Sequence, residues 1–266
     1  MYRQITYNGK RLQYQCTGTG DAVILVHGFG EDSSVWDAQK EYLQQQYLVL
    51  LPDLPGSGRS ELVDDMSMEG LAGAVHAIIK AESVESCVLI GHSMGGYIAL
   101  AFAEKYPGLL QGFGLFHSSA YADSEEKKET RRKGIAFIRE HGAYAFLKTA
   151  IPNLYSPATK ERHPALIEEQ LQAMKDFSGD ALCAYYEAMM QRPDRTDVLR
   201  QSLVPVLFAL GKWDTAVPLA DGLAQCRLPK IAYIDVFEES GHMGMAEERE
   251  RSNDVLNRYL SDLYHR

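Results

Sequence analysis

The heptapeptide I-G-H-S-M-G-G at residues 90–96 constrains the fold more than any other feature of this sequence. It follows an apolar run and precedes another, so a buried strand must turn into a helix within a few residues. Glycine weakens the interiors of both strands and helices, so glycines around one serine indicate a sharply bent backbone. The pattern Gly91-x-Ser93-x-Gly95 in this context predicts a nucleophile elbow, which exposes a serine hydroxyl above a sheet. The alternative is an ordinary strand-to-helix turn that happens to contain a serine.

Short continuous apolar runs recur along the chain and are typical of strands buried on both faces of a parallel sheet. A hairpin with Asn8-Gly9 at its turn precedes them. The runs lie at residues 22–26, 47–51, 87–90, 113–116, 206–210 and 231–237. Segments with helical spacing lie between most of them, at 33–45, 67–82, 94–106, 218–226 and 246–264. The sequence therefore predicts an α/β fold with a doubly wound, mostly parallel eight-stranded sheet.

One region, from residue 121 to residue 199, has no strand-like run. It contains charged helical stretches, punctuated by proline and glycine, at residues 125–140, 143–150, 164–177 and 180–191. We interpret 121–199 as a helical insertion of about four helices in a core formed by residues 1–120 and 200–266. An insertion of this length is expected to pack over another part of the molecule.

Composition excludes several classes of protein. A net charge of −9 and a sequence pI near 5.4 argue against a nucleic-acid binder. No apolar run approaches the about 18 residues of a membrane span, and the amino terminus lacks a signal-like stretch, so we expect a cytoplasmic protein without membrane contact. The four cysteines form no C-x-x-C pair and have no histidine at metal-ligand spacing, which indicates free thiols in a reducing compartment.

A serine nucleophile needs a base, because its hydroxyl is weakly nucleophilic alone. His242 follows the last predicted strand, at the carboxyl edge where parallel sheets hold their sites, and is the predicted base. His117 also follows a strand end and could line the same edge, whereas His92 should point away from Ser93 and His27 is interpreted as structural. The other four histidines are expected on solvated helices, helix edges or the tail, namely His76, His141, His163 and His265.

The third member of such a site is an acid that orients the imidazole. Asp214 comes directly after a predicted strand and gives the chain order Ser93, Asp214, His242 that nucleophile-elbow folds require. The alternatives are that Asp214 only caps a turn, or that Glu238 or Glu239 orients the base instead.

Acyl transfer also requires donors for the developing oxyanion. The segment His27-Gly28-Phe29-Gly30 ends the first parallel strand, and the backbone N–H groups of Phe29 and Met94 are the predicted donors. The alternative is a glycine-rich turn without substrate contact. The full G-x-G-x-x-G pattern is absent, so this is not a dinucleotide fingerprint.

Together these residues resemble the α/β-hydrolase superfamily. The matching blocks are His27–Gly30, Asp53–Ser60, Gly91–Gly96, Asp214 and Gly241-His242. The resemblance runs from about residue 22 to residue 264, and the unmatched insertion looks like the helical cap of that family. We interpret the Asp53–Ser60 block as a structural turn that supports the oxyanion loop.

Ser93 argues against two branches of the superfamily, the haloalkane dehalogenases and epoxide hydrolases, which carry aspartate at the nucleophile position. The H-G-G-P-G loop of proline iminopeptidases and the H-G-G-G block of one lipase and esterase group are also absent. The resemblance therefore implies a cofactor-free and metal-free serine hydrolase that cleaves a small, largely apolar ester or lactone through an acyl-enzyme. The branches that remain are small carboxylesterases, enol-lactonases, haloperoxidase-like esterases and pimeloyl-carrier methyl esterases. A ligand receptor with little turnover and a C–C hydrolase or lyase are the alternatives, because fold does not determine function.

Specificity is expected from an apolar pocket under the cap. The candidates, besides Phe29 and Met94, are Trp213, Val217 and Met243 from the core and Tyr121, Phe137, Phe146, Ile151 and Tyr155 from the insertion. Most of the insertion residues could instead form its own core. A basic cluster comprises Lys127, Lys128, Arg131, Arg132 and Lys133. It is either a solvated helix face paired with neighbouring glutamates or a docking site for an acidic carrier protein.

Overall fold

A single eight-stranded sheet organises the computed structural model, which describes residues 1–264; His265 and Arg266 lie outside the described residues. The strands are β1 (Tyr2–Tyr7), β2 (Lys10–Thr17), β3 (Ala22–Val26), β4 (Leu48–Pro52), β5 (Cys87–His92), β6 (Leu110–Phe116), β7 (Val206–Gly211) and β8 (Ala232–Phe237). Their order is β1-β2-β4-β3-β5-β6-β7-β8. The pairs β1–β2 and β2–β4 are antiparallel and all other neighbours are parallel. The predicted α/β class and mostly parallel sheet are confirmed.

Helices connect the parallel strands, and two more follow the last strand. They are α1 (Asp37–Leu43), α2 (Met68–Ala81), α3 (Met94–Lys105), α4 (Glu125–His141), α5 (Ala143–Ala150), α6 (Pro157–Arg162), α7 (Pro164–Ala173), α8 (Gly179–Gln191), α9 (Thr196–Gln201), α10 (Leu219–Gln225), α11 (Gly244–Glu247) and α12 (Arg249–Tyr264). Helices α4–α9 all lie between β6 and β7. The sequence pattern predicts four helices there and misses α6 and α9, because six residues are too few for a periodic signal.

The two faces of the sheet are both covered, which makes the fold doubly wound. Along β3 the side chains of Ile24 and Val26 pack into one apolar cluster with α2 and α3, whereas Val23 and Leu25 pack into the other with α1 and α12. Every residue of β3 is buried. A strand buried on both faces has no solvent side to alternate with, which explains its continuous apolar run.

The parallel strands β3, β5, β6, β7 and β8 all end at one edge of the sheet. The segments that follow four of these strands carry Phe29, Ser93, His117 and Asp214, and His242 follows β8. The topology alone therefore brings the candidate residues to one edge, as expected for open parallel sheets.

All four cysteines are free thiols and are buried. None of the helices in residues 1–264 combines the length and the hydropathy that crossing a bilayer requires.

Candidate active site

Ser93 occupies a strained turn between β5 and α3. Its φ of +51° and ψ of −116° lie in a region that residues with a Cβ rarely adopt. A Cβ added to Gly91 would lie 2.0 Å from the carbonyl oxygen of Gly95, and one added to Gly95 would lie 2.5 Å from that of Val26. Strand and helix therefore approach too closely for any side chain at either glycine. The geometry is that of the predicted elbow.

Asp214 and His242 form a buried acid–base pair. His242 Nδ1 lies 2.7 Å from Asp214 Oδ2, and Asp214 Oδ1 accepts the backbone N–H groups of Ala216 and Val217 at 2.8 Å each. Burial alone would raise the pKa of Asp214, but the charge of His242 and the hydrogen bonds from imidazole outweigh it and hold the pKa well below its ordinary value. The ionised carboxylate fixes the Nδ1–H tautomer, which leaves His242 Nε2 to accept a proton.

The pKa of His242 is shifted in the opposite direction. Burial lowers it, but the negative charge of Asp214, its hydrogen bond and the more distant carboxylates of Glu31 and Glu247 outweigh burial, so the pKa is raised. The alternative acid Glu238 forms an ion pair with Lys212 at 2.7 Å. It is Asp214, and not Glu238, that bonds the imidazole.

The loop that carries His242 is tied to the insertion. The His242 backbone N–H donates to the Leu154 carbonyl at 2.6 Å. The Glu247 carboxylate accepts four further bonds, from the backbone N–H groups of Gly241, Met243 and Ser156 and from the Thr159 hydroxyl, at 2.8, 3.3, 2.8 and 2.7 Å. The insertion therefore helps to position the imidazole, a role that no local sequence pattern signals.

The glycine loop after β3 packs directly against the elbow. A Cβ added to Gly28 would lie 3.1 Å from Ser93 Cβ. Within residues 1–264, the backbone N–H groups of Phe29 and Met94 donate to no protein oxygen. Met94 opens α3, so its N–H belongs to the first turn, where the helix dipole favours negative charge. Both predicted oxyanion donors are thus unengaged.

A buried carboxylate, Glu31, supports this loop. Glu31 Oε2 accepts the Gly28 backbone N–H at 2.7 Å and faces His92 Nδ1 at 3.0 Å, while His92 Nε2 faces the His242 carbonyl at 2.9 Å. Both ring nitrogens of His92 are therefore engaged away from the serine, in line with the prediction. Glu31 was not predicted, and its position after the glycine loop is the only sequence signal for it.

His27 and the Asp53–Ser60 turn are joined as a structural unit. The Leu54 backbone N–H donates to His27 Nε2 at 3.0 Å, and His27 Nδ1 contacts the Gly28 carbonyl at 2.9 Å. Asp53 in turn accepts the backbone N–H groups of Ser33 and Arg59, both at 3.1 Å. These bonds support the glycine loop from behind, as the interpretation of that block requires.

His117 joins the acid–base pair. Its side chain is fully buried and its Nδ1 lies 3.4 Å from Asp214 Oδ2. Ligand atoms of His117, Asp214 and His242 all lie within 4.8 Å of one another, so a metal could reach all three. The 2.7 Å hydrogen bond joins His242 Nδ1 to Asp214 Oδ2, and the His117 ring lies beside this bonded pair.

The comparisons with known proteins agree with this geometry. A model described as the alpha/beta hydrolase family matches residues 23–255. The chain belongs to the alpha/beta hydrolase family. It is 32% identical to a thermophilic esterase from Thermogutta terrifontis, whose malate-bound structure matches 99% of both chains with a TM-score of 0.94.

Curated relatives of this alpha/beta hydrolase include two enzymes of comparable length. One is 3-oxoadipate enol-lactonase 2 from Acinetobacter baylyi, 25% identical over 95% of this chain and 94% of the relative. The other is pimeloyl-[acyl-carrier protein] methyl ester esterase from Methylococcus capsulatus, 26% identical over 93% of this chain and 97% of the relative. The chain is accordingly a hydrolase.

An aromatic group lies over the glycine loop. The Phe29 ring stacks on Tyr186 of α8, with centroids 4.2 Å apart and planes 9° apart, and meets the edge of Phe146 at 6.2 Å. Burial raises the pKa of Tyr186 to about 12, so its hydroxyl stays neutral. Phe146 is a predicted pocket residue, whereas Tyr186 was missed because one tyrosine on a helix carries no local signal.

The other predicted pocket residues are distributed unevenly. Met243, Ile151 and Tyr155 are buried in one apolar cluster, and Val217 is buried beside Asp214. The ring centroids of Phe137 and Phe146 lie 6.4 Å apart, but Phe137 is 36% exposed. Tyr121 is partly buried. Trp213 is 50% exposed and its indole donates to the Glu238 carbonyl, so it lies at the surface.

The basic cluster on α4 is largely neutralised by its neighbours. Lys128 pairs with Glu125 at 2.8 Å and Arg132 with Glu129 at 3.1 Å. Arg131 binds the buried carboxylate of Asp123, and Lys127 donates to the Ala216 carbonyl. Lys133 is exposed.

Proposed function

We propose that this hydrolase cleaves a carboxylic ester or lactone of a small, largely apolar molecule through an acyl-enzyme on Ser93. One observation carries the proposal: a serine at a strained elbow shares its sheet edge with an Asp214–His242 pair bonded at 2.7 Å. A serine, a base and an orienting acid in this chain order are the components of nucleophilic acyl transfer.

The mechanism assigns one step to each group. Ser93 Oγ attacks the carbonyl carbon while His242 Nε2 takes the hydroxyl proton, and Asp214 stabilises the resulting imidazolium. The backbone N–H groups of Phe29 and Met94 stabilise the tetrahedral oxyanion. His242 then gives its proton to the leaving alkoxide. Water, deprotonated by His242, attacks the acyl-enzyme, and the acid leaves as Ser93 regains its proton.

The substrate class follows from the surroundings of the loop. The rings of Phe29, Phe146 and Tyr186 form an apolar wall beside the proposed oxyanion donor, which favours an apolar acyl group over a sugar or a phosphate. We further propose that residues 121–199 act as a cap, because they supply two of these rings and also bond the His242 loop. The names of the esterase and enol-lactonase relatives support an ester or lactone as the scissile group.

The proposal is tested by hydrolysis of p-nitrophenyl esters from acetate to decanoate and of small lactones. Ser93→Ala is expected to lower kcat by at least about 10³-fold, because the nucleophile is lost. Ser261→Ala, on α12, removes a hydroxyl outside the site and should leave the rates unchanged. Turnover that survives in Ser93→Ala, or a folded wild-type protein that cleaves no ester or lactone, overturns the proposal. The second result would favour a ligand receptor or a C–C hydrolase.

A further inference from the structure

His117 is held in the site by a strained backbone. It directly follows β6, its side chain has no solvent exposure, and its φ is +49°. Histidine tolerates this left-handed conformation only at some energetic expense. An apolar side chain would fill this position without burying polar atoms, whereas an imidazole buries two ring nitrogens.

Two glycines make room for the ring. A Cβ added to Gly211, at the end of β7, would lie 2.8 Å from His117 Cε1, and one added to Gly244, at the start of α11, would lie 2.3 Å from Nε2. Gly211 precedes Asp214 by three residues and Gly244 follows His242 by two. The segments that carry the proposed acid and base therefore both pack against the His117 imidazole.

The ring carries one proton, and its surroundings indicate where. Burial lowers the pKa of His117 to about 4, although the neighbouring Asp214 opposes this, so the ring is neutral at physiological pH. Nδ1 lies 3.4 Å from Asp214 Oδ2, and neither ring nitrogen has a partner of good hydrogen-bond geometry within residues 1–264. A proton on Nδ1 lies near the negative charge of Asp214, whereas a proton on Nε2 would have no carboxylate beside it, so the Nδ1–H tautomer is favoured.

We propose that His117 is a positioning residue whose Nδ1–H, 3.4 Å from Asp214 Oδ2, stabilises the negative charge on that oxygen and weakens the hold of Asp214 on the His242 proton. The inference rests on the proposed function of Ser93, Asp214 and His242. Both imidazoles lie near the same oxygen: His242 Nδ1 is hydrogen-bonded to it at 2.7 Å, and His117 Nδ1 lies 3.4 Å from it.

The direction in which His117 shifts the pKa of His242 follows from the charges around the two imidazoles. The titratable groups that face the two imidazoles are Asp214, His92, Glu31 and Glu247, together with the imidazoles themselves. The carboxylates favour protonated His242, and the His117 dipole opposes Asp214 alone. Without that dipole the pKa of His242 should be higher. A smaller fraction of His242 is then neutral at acidic pH and available as the base.

The test compares the pH profile of kcat/KM for wild type, His117→Phe and His117→Asn. Phenylalanine fills the space and excludes water without an N–H, whereas the Asn amide nitrogen can occupy the place of Nδ1 and asparagine tolerates positive φ. The acid limb of His117→Phe should move upward by about half a pH unit, which is about a threefold loss below the limb. His117→Asn should restore the wild-type midpoint. If His117→Phe fails to fold, His117→Leu replaces it.

A measurement without turnover separates this inference from the proposed function. The His242 ring is titrated by ¹⁵N-histidine NMR, with His242→Gln used for assignment, and its midpoint should rise in His117→Phe and return in His117→Asn. This result would stand even if no ester were cleaved. An equal loss of activity at every pH, or a lower melting temperature with an unchanged His242 midpoint, would reveal a purely structural role and overturn the inference.

Discussion

Glu247 is the residue through which the insertion is expected to control the proposed base. Its carboxylate accepts two backbone N–H groups on either side of His242, from Gly241 and Met243, and two donors from the insertion, Ser156 and Thr159. Glu247→Ala removes the acceptor of all four bonds at once. The His242 loop would then keep its other bonds, such as that of the His242 backbone N–H to Leu154 and the contact of the His242 carbonyl with His92.

The magnitude can be worked from these bonds. A hydrogen bond to a charged acceptor contributes roughly 1.5–3 kcal/mol when buried, but Glu247 is only partly buried and water can replace part of each bond. At about 0.7 kcal/mol for each of four bonds, the free energy of unfolding should fall by about 3 kcal/mol. A displacement of the imidazole by about 1 Å should lower kcat/KM by about 100-fold.

Urea unfolding and ester hydrolysis measure the two effects separately. Glu248→Ala is the matched control, because within residues 1–264 this neighbouring carboxylate accepts the Ser240 hydroxyl and the Glu239 backbone N–H and has no bond to the insertion. Glu248→Ala should lower the free energy of unfolding by about 1.4 kcal/mol and leave kcat/KM within about threefold of wild type. If Glu247→Ala behaves like Glu248→Ala in both assays, the insertion does not position the base through this residue.

Three further results are expected. The midpoint of the acid limb of the kcat/KM profile should lie above the ordinary histidine pKa of about 6.5, because Asp214 raises the pKa of His242 and activity requires neutral His242. A midpoint below that value would contradict the assignment of the base. Tyr186→Ala should lower kcat/KM for a long acyl ester about tenfold more than for an acetate ester, because the stacked partner of Phe29 is lost. Tyr186→Phe keeps the ring and should match wild type. Equal losses on both esters would show that Tyr186 does not line the pocket. Because Lys128 and Arg132 are paired with glutamates, Lys128→Glu and Arg132→Glu should change KM for an ester on an acidic carrier protein less than about threefold, and a much larger change would establish carrier docking.

The sheet and the elbow were predictable because they depend on local patterns. A strand buried on both faces reads as an uninterrupted apolar run, as β3 does, and a strand followed by Gly-x-Ser-x-Gly and a helix leaves few alternatives for the backbone at Ser93. Asp214 and His242 follow from chain order and from the shared edge of parallel strands. Their hydrogen bond, at 2.7 Å, therefore joins two residues that topology already places at one edge of the sheet.

Contacts between distant segments had no comparable signal. Tyr186 meets Phe29 across more than 150 residues of sequence, and nothing in α8 distinguishes that tyrosine from its buried neighbour Tyr185. Trp213 illustrates the opposite case: it lies next to Asp214 in sequence, but its indole lies at the surface and donates to the Glu238 carbonyl. Pocket composition depends on how the insertion folds over the edge, which periodicity does not determine.

The central claim, a covalent acyl-enzyme on Ser93, is tested most directly by peptide-mapping mass spectrometry. Wild-type protein is mixed with p-nitrophenyl butyrate, quenched in acid within milliseconds and digested, with Ser93→Ala treated in parallel. We predict one added butyryl group on the peptide that contains Ser93, formed as fast as the burst of p-nitrophenol, and none on the variant. A butyryl group on another residue at the burst rate, or steady turnover by Ser93→Ala without any adduct, would contradict the account.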